Sequence, residues 1–556
     1  MKKVSIFLML LISIVSCLFA WQETYSAESI EYKQMQAFAR ILGTSIPTPT
    51  APITGSQMLL FLEHLPAQNL DANTRSQFDS LVASLTSPAH LITIEPDVFS
   101  TIFLSVNPQG FYHSNTETDI DDWLYPYRDW QPIINAGGEF WFGKNLYAMS
   151  DFNFSLRKFS YKYDNANFFW NGLTSIAEFE LALPSKAYTS IGTDSLNLIA
   201  GRDKLSSGNG VTSNLFIGDG LWWKDFVKLS VARATLSYDF TLIGFDRYKN
   251  YEKDPLTLEE FDFNSEHKIV VVHRFSWSPW KWFNFSLTEG ALQYGSNILD
   301  DLRLLNPFLM IHGTNGYVKG TQNNFFGFEL QFLPIDGLEL NFDAIFDQIQ
   351  VPAELDNGKP YDNTPPNAYG FLLNAKYSLP LEKGIATFYA EAVYTSPCLY
   401  LKAGTKGYNF YDTNLIVGNA LWNKGNSDLS YLGYKYGPDT IVGALGGEYT
   451  QLDGFTFGVD ILFKAHGEHG IRNRINQTDE LTTGMAHFYD VSPTYTEGKT
   501  LPEYRLGVSG YVEMRILKWL DFTGNVAFVR DWNHYNVIGA DFFDVQLALG
   551  VKIHTV

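Results

Sequence analysis

Cysteine is nearly missing from this 556-residue chain: there are two, too few for a disulfide framework or a cysteine-based metal site. Charge is scarce as well, at 18% of residues against about 25% in an ordinary soluble protein. Basic residues are the rarer kind, with 40 Lys and Arg against 60 Asp and Glu and a formal charge of −20. Such a chain repels phosphate rather than neutralising it, so it is not read as a binder of nucleic acid. Nor is it a disordered chain, because 45% of it is apolar. Beyond residue 20 no stretch approaches 18 unbroken apolar residues, so no helix is expected to cross a bilayer, and a membrane location would require a closed barrel. There is no G-x-S-x-G elbow, no Walker loop and no H-E-x-x-H pair. The chain is therefore read as a non-enzyme with no cofactor and no metal.

Aromatic residues are what the sequence has in quantity: 43 Phe, 31 Tyr and 13 Trp, or 16% of the chain. The N-terminus runs Met1, Lys2, Lys3 and then apolar over residues 4–19 to Ala20, the layout of a secretory signal over residues 1–20. Two alternatives stay open. One is a retained anchor, against which Ser13 and Ser16 interrupt the run. The other is a lipoprotein, since Ile14, Val15 and Ser16 precede Cys17.

Residues 21–95 form a helical segment. Met35, Phe38, Ile41 and Leu42 recur at helical spacing before Gly43, and a Pro/Thr-rich break occupies residues 46–53. Ser56 can cap a helix carrying Met58, Leu59, Leu62 and Leu65, and residues 71–86 supply a third with Phe78, Leu81, Val82 and Leu85. This unit either packs on the remainder of the chain or docks a periplasmic partner.

From residue 98 the period changes to two. Over 234–242, Ala234, Leu236, Tyr238, Phe240 and Leu242 alternate with Thr235, Ser237, Asp239 and Thr241. The pattern returns over 282–288, 338–347, 455–464, 504–515 and along the last strand, where Val545, Leu547, Leu549, Val551 and Ile553 share a face. A soluble sandwich would alternate in the same way. The connections decide between them: short turns near 144–145, 278–281, 334–337, 379–385, 452–454 and 516–520 separate long segments over 108–132, 203–224, 246–266, 294–324, 348–368, 396–439 and 465–502. That rhythm belongs to outer-membrane barrels. The reading is an all-β membrane protein, a single closed antiparallel barrel of about 18 strands over residues 96–556, in the cell outer membrane and in contact with its lipid. An even count leaves both strand ends on the side of the helical unit. One feature is atypical: such barrels commonly finish on an aromatic residue, and this chain finishes His554, Thr555, Val556.

Several local clusters read as solvated loops rather than sites: His466, Glu468 and His469; Gly208 and Gly210 near Arg202 and Asp203; and the acidic run Glu117, Asp119, Asp121, Asp122, which has oxygen ligands suited to Ca²⁺. The aromatic clusters are more informative. Trp123, Tyr125, Tyr127 and Trp130 sit among Asp121, Asp122, Arg128 and Asp129, and Trp222 adjoins Trp223. Aromatic faces beside hydrogen-bonding groups suit sugar rings, and the same residues suit an interfacial girdle. Glu289, Glu329, Glu339, Asp343, Asp347, Glu391, Arg505, Glu513 and Arg515 are placed on the inward face, where they either line a channel or pair and fill it.

Residues 267–295 (HKIVVVHRFSWSPWKWFNFSLTEGALQYG), 302–332 (LRLLNPFLMIHGTNGYVKGTQNNFFGFELQF) and 337–351 (GLELNFDAIFDQIQV), with 199–220 (IAGRDKLSSGNGVTSNLFIGDG) upstream, resemble the Wzi-type capsule assembly proteins. The resemblance is of pattern across most of the mature chain and sharp in these stretches. It implies an 18-stranded outer-membrane barrel with a periplasmic helical bundle, a lectin that helps to hold capsular polysaccharide at the cell surface. Arg202, Asp203, Glu289, Asn306, Pro307, His312 and Asp347 are motif positions in it, with Asn306 and Pro307 read as structural. The functional expectation is a barrel that binds or organises extracellular polysaccharide; the alternative is a porin-like diffusion channel.

Overall fold

The computed structural model describes residues 21–86, 92–118, 122–125, 129–156, 166–172, 179–182, 184–245, 267–295, 306, 311, 322–349, 355–356, 359–360, 367–401, 414–420, 427–467, 470–471 and 501–555. The signal segment, Cys17, Tyr127, Pro307 and His312 lie outside them.

Three helices come first. Helix α1 (Ile30–Ile41) starts at Ser29, whose side chain accepts from the Tyr32 amide. Helix α2 (Gly55–His64) is capped by Thr54 and not by Ser56, the cap expected from sequence: Gln57, three residues on, returns a bond to the Thr54 amide and closes a capping box. Helix α3 (Ala72–Thr86) comes after Asp71, which accepts from the amides of Asn73 and Thr74. Met35, Phe38, Met58, Phe61 and Leu81 are fully buried between them, and the rings of Phe38 and Phe78 meet edge to face at 5.2 Å.

Eighteen antiparallel strands then close on themselves. They are β1 (Val98–Val106 and Gln109–His113), β2 (Ile134–Phe142), β3 (Leu146–Leu156), β4 (Phe179–Ala182 and Ala187–Gly192), β5 (Leu196–Asp203), β6 (Lys224–Arg233), β7 (Leu236–Phe245), β8 (His267–Trp280) and β9 (Phe283–Gly295). The second half comprises β10 (Gln322–Ile335), β11 (Leu338–Gln348), β12 (Ala368–Pro380), β13 (Ile385–Thr395), β14 (Thr440–Gln451), β15 (Phe455–His466), β16 (Glu503–Leu517), β17 (Leu520–Trp532) and β18 (Phe542–His554). Each pairs with its neighbours in sequence, and β18 pairs with β1, Gln546 opposite His113 and Ile553 opposite Val106. Pairing of the last strand with the first closes the ring, so the barrel presents no open sheet edge of the kind a bilayer excludes. Ile92–Glu95 adds a short extra strand at the start of β1.

Two stretches correct the sequence reading. Residues 109–113 continue β1 instead of opening the long segment, because the break at Asn107 and Pro108 only interrupts pairing where proline has no N–H to give. Ala234 lies in a turn, and β7 begins at Leu236. The short turns gather at one end with the helices: Gly337 donates to the Arg40 carbonyl at 2.7 Å, and Gln77 reaches the Leu381 carbonyl at 2.7 Å.

The outside is apolar. Ile102, Phe152, Leu373, Phe388, Leu445 and Phe528 are large, exposed and at outward positions, the face that lipid covers. Near the short turns Trp280 stacks on Trp282 at 5.3 Å with Phe283 and Phe332 beside them, an aromatic girdle. Among the described residues no helix is long and apolar enough to cross a membrane. Glu289 is not inward: its register partner His273 and the flanking Phe285, Leu287 and Ala291 are all on the outer face, since alternation in β9 puts even positions inside.

Candidate functional site

Buried cations on the inward face organise the lumen. Lys228 of β6 donates to the carbonyl of Thr50 at 2.6 Å and to that of Pro52; Lys268 of β8 donates to those of Asn414 at 2.7 Å and Ile416 at 2.5 Å; Lys376 of β12 donates to that of Asn209 at 2.7 Å. Each therefore holds the backbone of a segment that has entered the barrel. Arg274 of β8 forks onto both carboxylate oxygens of Glu329 in β10, and its Nε donates to the Thr48 carbonyl at 2.7 Å. Both side chains of this pair are about 1% exposed.

Three segments are held in this way along the wall from β5 to β13. The stretch between α1 and α2 enters from the short-turn end, and Thr50 there donates to Asp239 at 2.8 Å. The connection from β5 to β6 meets it, Ala51 and Ser206 exchanging backbone bonds at 2.8 and 3.2 Å. Glu391 of β13 accepts from the amides of Val211 at 2.6 Å and Thr212 at 2.9 Å. The connection from β13 to β14 lies on that, with the Tyr400 hydroxyl donating to the Leu215 carbonyl at 2.7 Å and Gly218 donating to the Leu432 carbonyl at 2.9 Å. Phe216, Ile217, Leu399, Tyr400, Leu415 and Tyr434 pack there as an internal apolar core. The inward polar groups of this wall thus pair and fill the lumen, one of the two outcomes the sequence leaves open.

A fourth segment, between β1 and β2, folds inward over β16 to β18. Asp122 accepts from Arg505 at 2.8 Å, and Arg505 also grips Asp531 with two bonds of 2.8 and 2.6 Å. His534 lies 3.4 Å from Asp122 and 3.1 Å from Asp531. Asp122, Asp531 and His534 have the donor types of a metal site, but the Arg505 cation already occupies the space between the two carboxylates. Burial alone would lower the His534 pKa, yet the two carboxylates outweigh it and raise it to about 9. For Asp122, burial works to raise the pKa, and the bonds from His534 and Arg505 prevail and hold it well below the ordinary carboxylate value. A group with a raised folded pKa stabilises fully below its unfolded value near 6.5 and ceases to as pH passes about 9. The melting temperature of the wild-type protein in detergent should therefore fall between pH 7 and 10 more than that of the H534Q variant; equal falls would show that this latch carries none of the pH dependence.

The expected site residues divide among these surroundings. Trp123 and Trp130 are buried with Phe111 and Phe169, Trp130 stacking on Phe111 at 4.1 Å, inside the barrel and away from the lipid girdle. Trp123 and Tyr125 border a lumenal cavity of about 140 Å³. Trp222 and Trp223 are half-buried and meet edge to face at 6.5 Å, with the Lys204 ammonium 5.6 Å over Trp223. Arg202 faces outward and pairs with Asp225 at 2.6 Å, while its neighbour Asp203 is buried in the lumen. Asn306 is exposed and Asp347 lies half-buried at the end of β11. The four inward cations Lys228, Lys268, Arg274 and Lys376 are not among the expected site residues. Their signal is present in the sequence all the same: a basic residue at an inward position of a strand that is otherwise small and polar inside.

No known family profile matches the chain, and no curated protein matches it. Among solved structures it is similar to Wzi, an outer-membrane protein involved in group 1 capsule assembly in Escherichia coli and described as a carbohydrate-binding β-barrel. The identity is 12%, the match covers 96% of this chain and 99% of that one, and the TM-score is 0.57. Weaker likenesses include Pseudomonas aeruginosa OccD3 (OpdP), at 11% identity, 82% and 92% coverage and a TM-score of 0.39, and OprD of the same organism, at 11%, 82% and 95% and 0.37. The first of these likenesses shows a shared fold.

Proposed function

We propose that this chain is an outer-membrane protein that binds or organises an extracellular, capsular-type polysaccharide at the cell surface, with residues 1–20 as its export signal. The observation that carries the reading is the filled wall from β5 to β13, where three segments are fastened across the lumen by Lys228, Lys268, Arg274, Lys376 and Glu391. A barrel so filled is a rigid scaffold for its long outer connections, and rigid scaffolds carrying loops are where recognition sites are found. The shared fold with a barrel described as carbohydrate binding supports the same reading. The helical unit, seated on the short turns, would then face the periplasm and is where a periplasmic partner would dock.

The rival reading is a diffusion channel, since barrels of 16 to 18 strands can leave an aqueous lumen. Retention of purified surface polysaccharide on the immobilised protein tests the proposal directly. Binding that survives moderate salt is expected, and no retention even at low salt would remove the proposal. In planar bilayers the same protein should give small, unsteady currents; a large and steady pore would favour the channel.

A further inference from the structure

The side of the lumen formed by β15 to β18 is built differently from the filled wall. Strand register stacks its inward residues in rows. Below the pair His466 and Glu503 at the long-connection end, Lys464, Arg505 and Asp531 form one row, then come Leu462, Gly507, Val529 and Asp544. Asp460, Ser509, Ala527 and Gln546 make the next row, and Gly458, Tyr511, Asn525 and Ala548 the one after. The last two rows are dominated by small side chains, and the cavity of about 140 Å³ lies against them. It is of the order of the ~150 Å³ that accepts a benzene ring, so a larger ring would extend from it toward its open side.

The cavity has a roof and no floor. Above it Leu124 packs so closely on Gly507 that a β-carbon there would stand 2.8 Å from the Leu124 side chain. Asp122 is tied to Arg505, and the amide of Leu124 donates to Gln546 at 3.0 Å. Below it, Glu513 and Arg515 occupy the next inward positions and are exposed, so water reaches the cavity from the short-turn end.

Its walls combine aromatic and hydrogen-bonding groups. Trp123, Tyr125 and Tyr511 contribute rings, and Asp460, Ser509 and Asn525 contribute polar atoms. Ser509 and Asn525 make no side-chain hydrogen bond among the described residues, although both are lumenal and only partly exposed. Asp460 accepts from the Tyr389 hydroxyl through one oxygen, which leaves the other for a ligand hydroxyl. Of the charged groups nearby, Lys33 pairs with Glu448 and Arg515 with Asp521, which leaves Asp460 and Glu513 against Lys552; the balance is acidic, so an anionic ligand is disfavoured.

We propose that this cavity binds one neutral pyranose ring entering from the short-turn, periplasmic end, its apolar face against Trp123 or Tyr125 and its hydroxyls on Asp460, Ser509 and Asn525. This deepens the polysaccharide reading and rests on it: the chain would hold a sugar unit inside the barrel as well as polymer outside. The test uses the full-length protein in a detergent without a sugar head group, titrated with methyl hexopyranosides by saturation-transfer NMR. Binding is expected for the wild type, weakened about tenfold or more in both A527F and N525L, and weaker to a similar degree for a methyl hexuronide. Absence of binding to the wild type, or equal binding by both variants, overturns the proposal. Cold-SDS migration verifies that the variants fold. Polymer retention separates the two readings: polymer held without glycoside bound removes only the cavity site, and glycoside bound without polymer held removes only the surface role. A cysteine placed by S509C should react with a membrane-impermeant maleimide in permeabilised cells and stay unlabelled in intact ones; labelling in intact cells would reverse the assigned direction of entry.

Discussion

Replacing Arg274 with methionine is expected to lower the stability of the barrel by about 3–5 kcal/mol, the largest effect of any single substitution considered. The guanidinium is buried and supplies five bonds at once: two to Glu329, two to Thr48 and one to Thr288. Without it the Glu329 carboxylate, 1% exposed, keeps among the described residues only the Asn209 side-chain amide at 3.2 Å, in a space where Asp343 and Asp239 are already close. An uncompensated buried charge costs far more than the pair contributes when intact. The companion variant E329Q with R274M removes both charges and should recover a good part of the loss. Melting followed by circular dichroism, together with migration of unheated samples in SDS, reads both variants. An R274M barrel that melts with the wild type would show that the fork is not what joins wall, entering segment and plug.

Replacing residues 206–218 by a short Gly-Ser linker is expected to open the lumen and to raise single-channel conductance by about tenfold or more, toward that of an aqueous 16- to 18-stranded barrel. This segment is the middle of the column: it joins the entering N-terminal stretch through Ala51 and Ser206, and the β13 to β14 connection through Leu215 and Gly218. A milder form of the same experiment is E391A. It strips the acceptor from the part-buried Val211 and Thr212 amides, a loss that falls toward the low end of the roughly 1–3 kcal/mol that a fully buried unpaired donor costs. Its currents should flicker between closed and open levels. Conductance unchanged by the replacement would mean that the other segments close the barrel by themselves.

The strands, their antiparallel order and the end at which the helices sit are legible because a lipid-facing barrel writes its environment into every second residue. Leu338, Leu340 and Phe342 outside and Glu339, Asn341 and Asp343 inside show it as plainly in the structure as in the sequence. The short turns around Ser195 and Thr235 are harder to read because they contain neither glycine nor proline. The inward polar residues are recognisable without their partners. Glu391 meets the amides of Val211 and Thr212, nearly 180 positions away in sequence, and no local pattern encodes such a contact. Acidity suggests the interior for Glu289 and misleads, since the strict alternation of β9 places it outside with His273.

Alternation along each strand, the rhythm of turns and the scarcity of charge determined by themselves that the chain is a closed barrel with an apolar exterior, since each is a local consequence of facing lipid. Which residues the lumen brings together was decided only by closure. Lys228 finds the carbonyls of Thr50 and Pro52, and Arg505 finds Asp122 across 383 positions, because a ring of strands sets distant segments opposite one another inside a space of fixed width. Buried charges there must be paired, and the geometry of the ring, not the neighbouring sequence, chose with what.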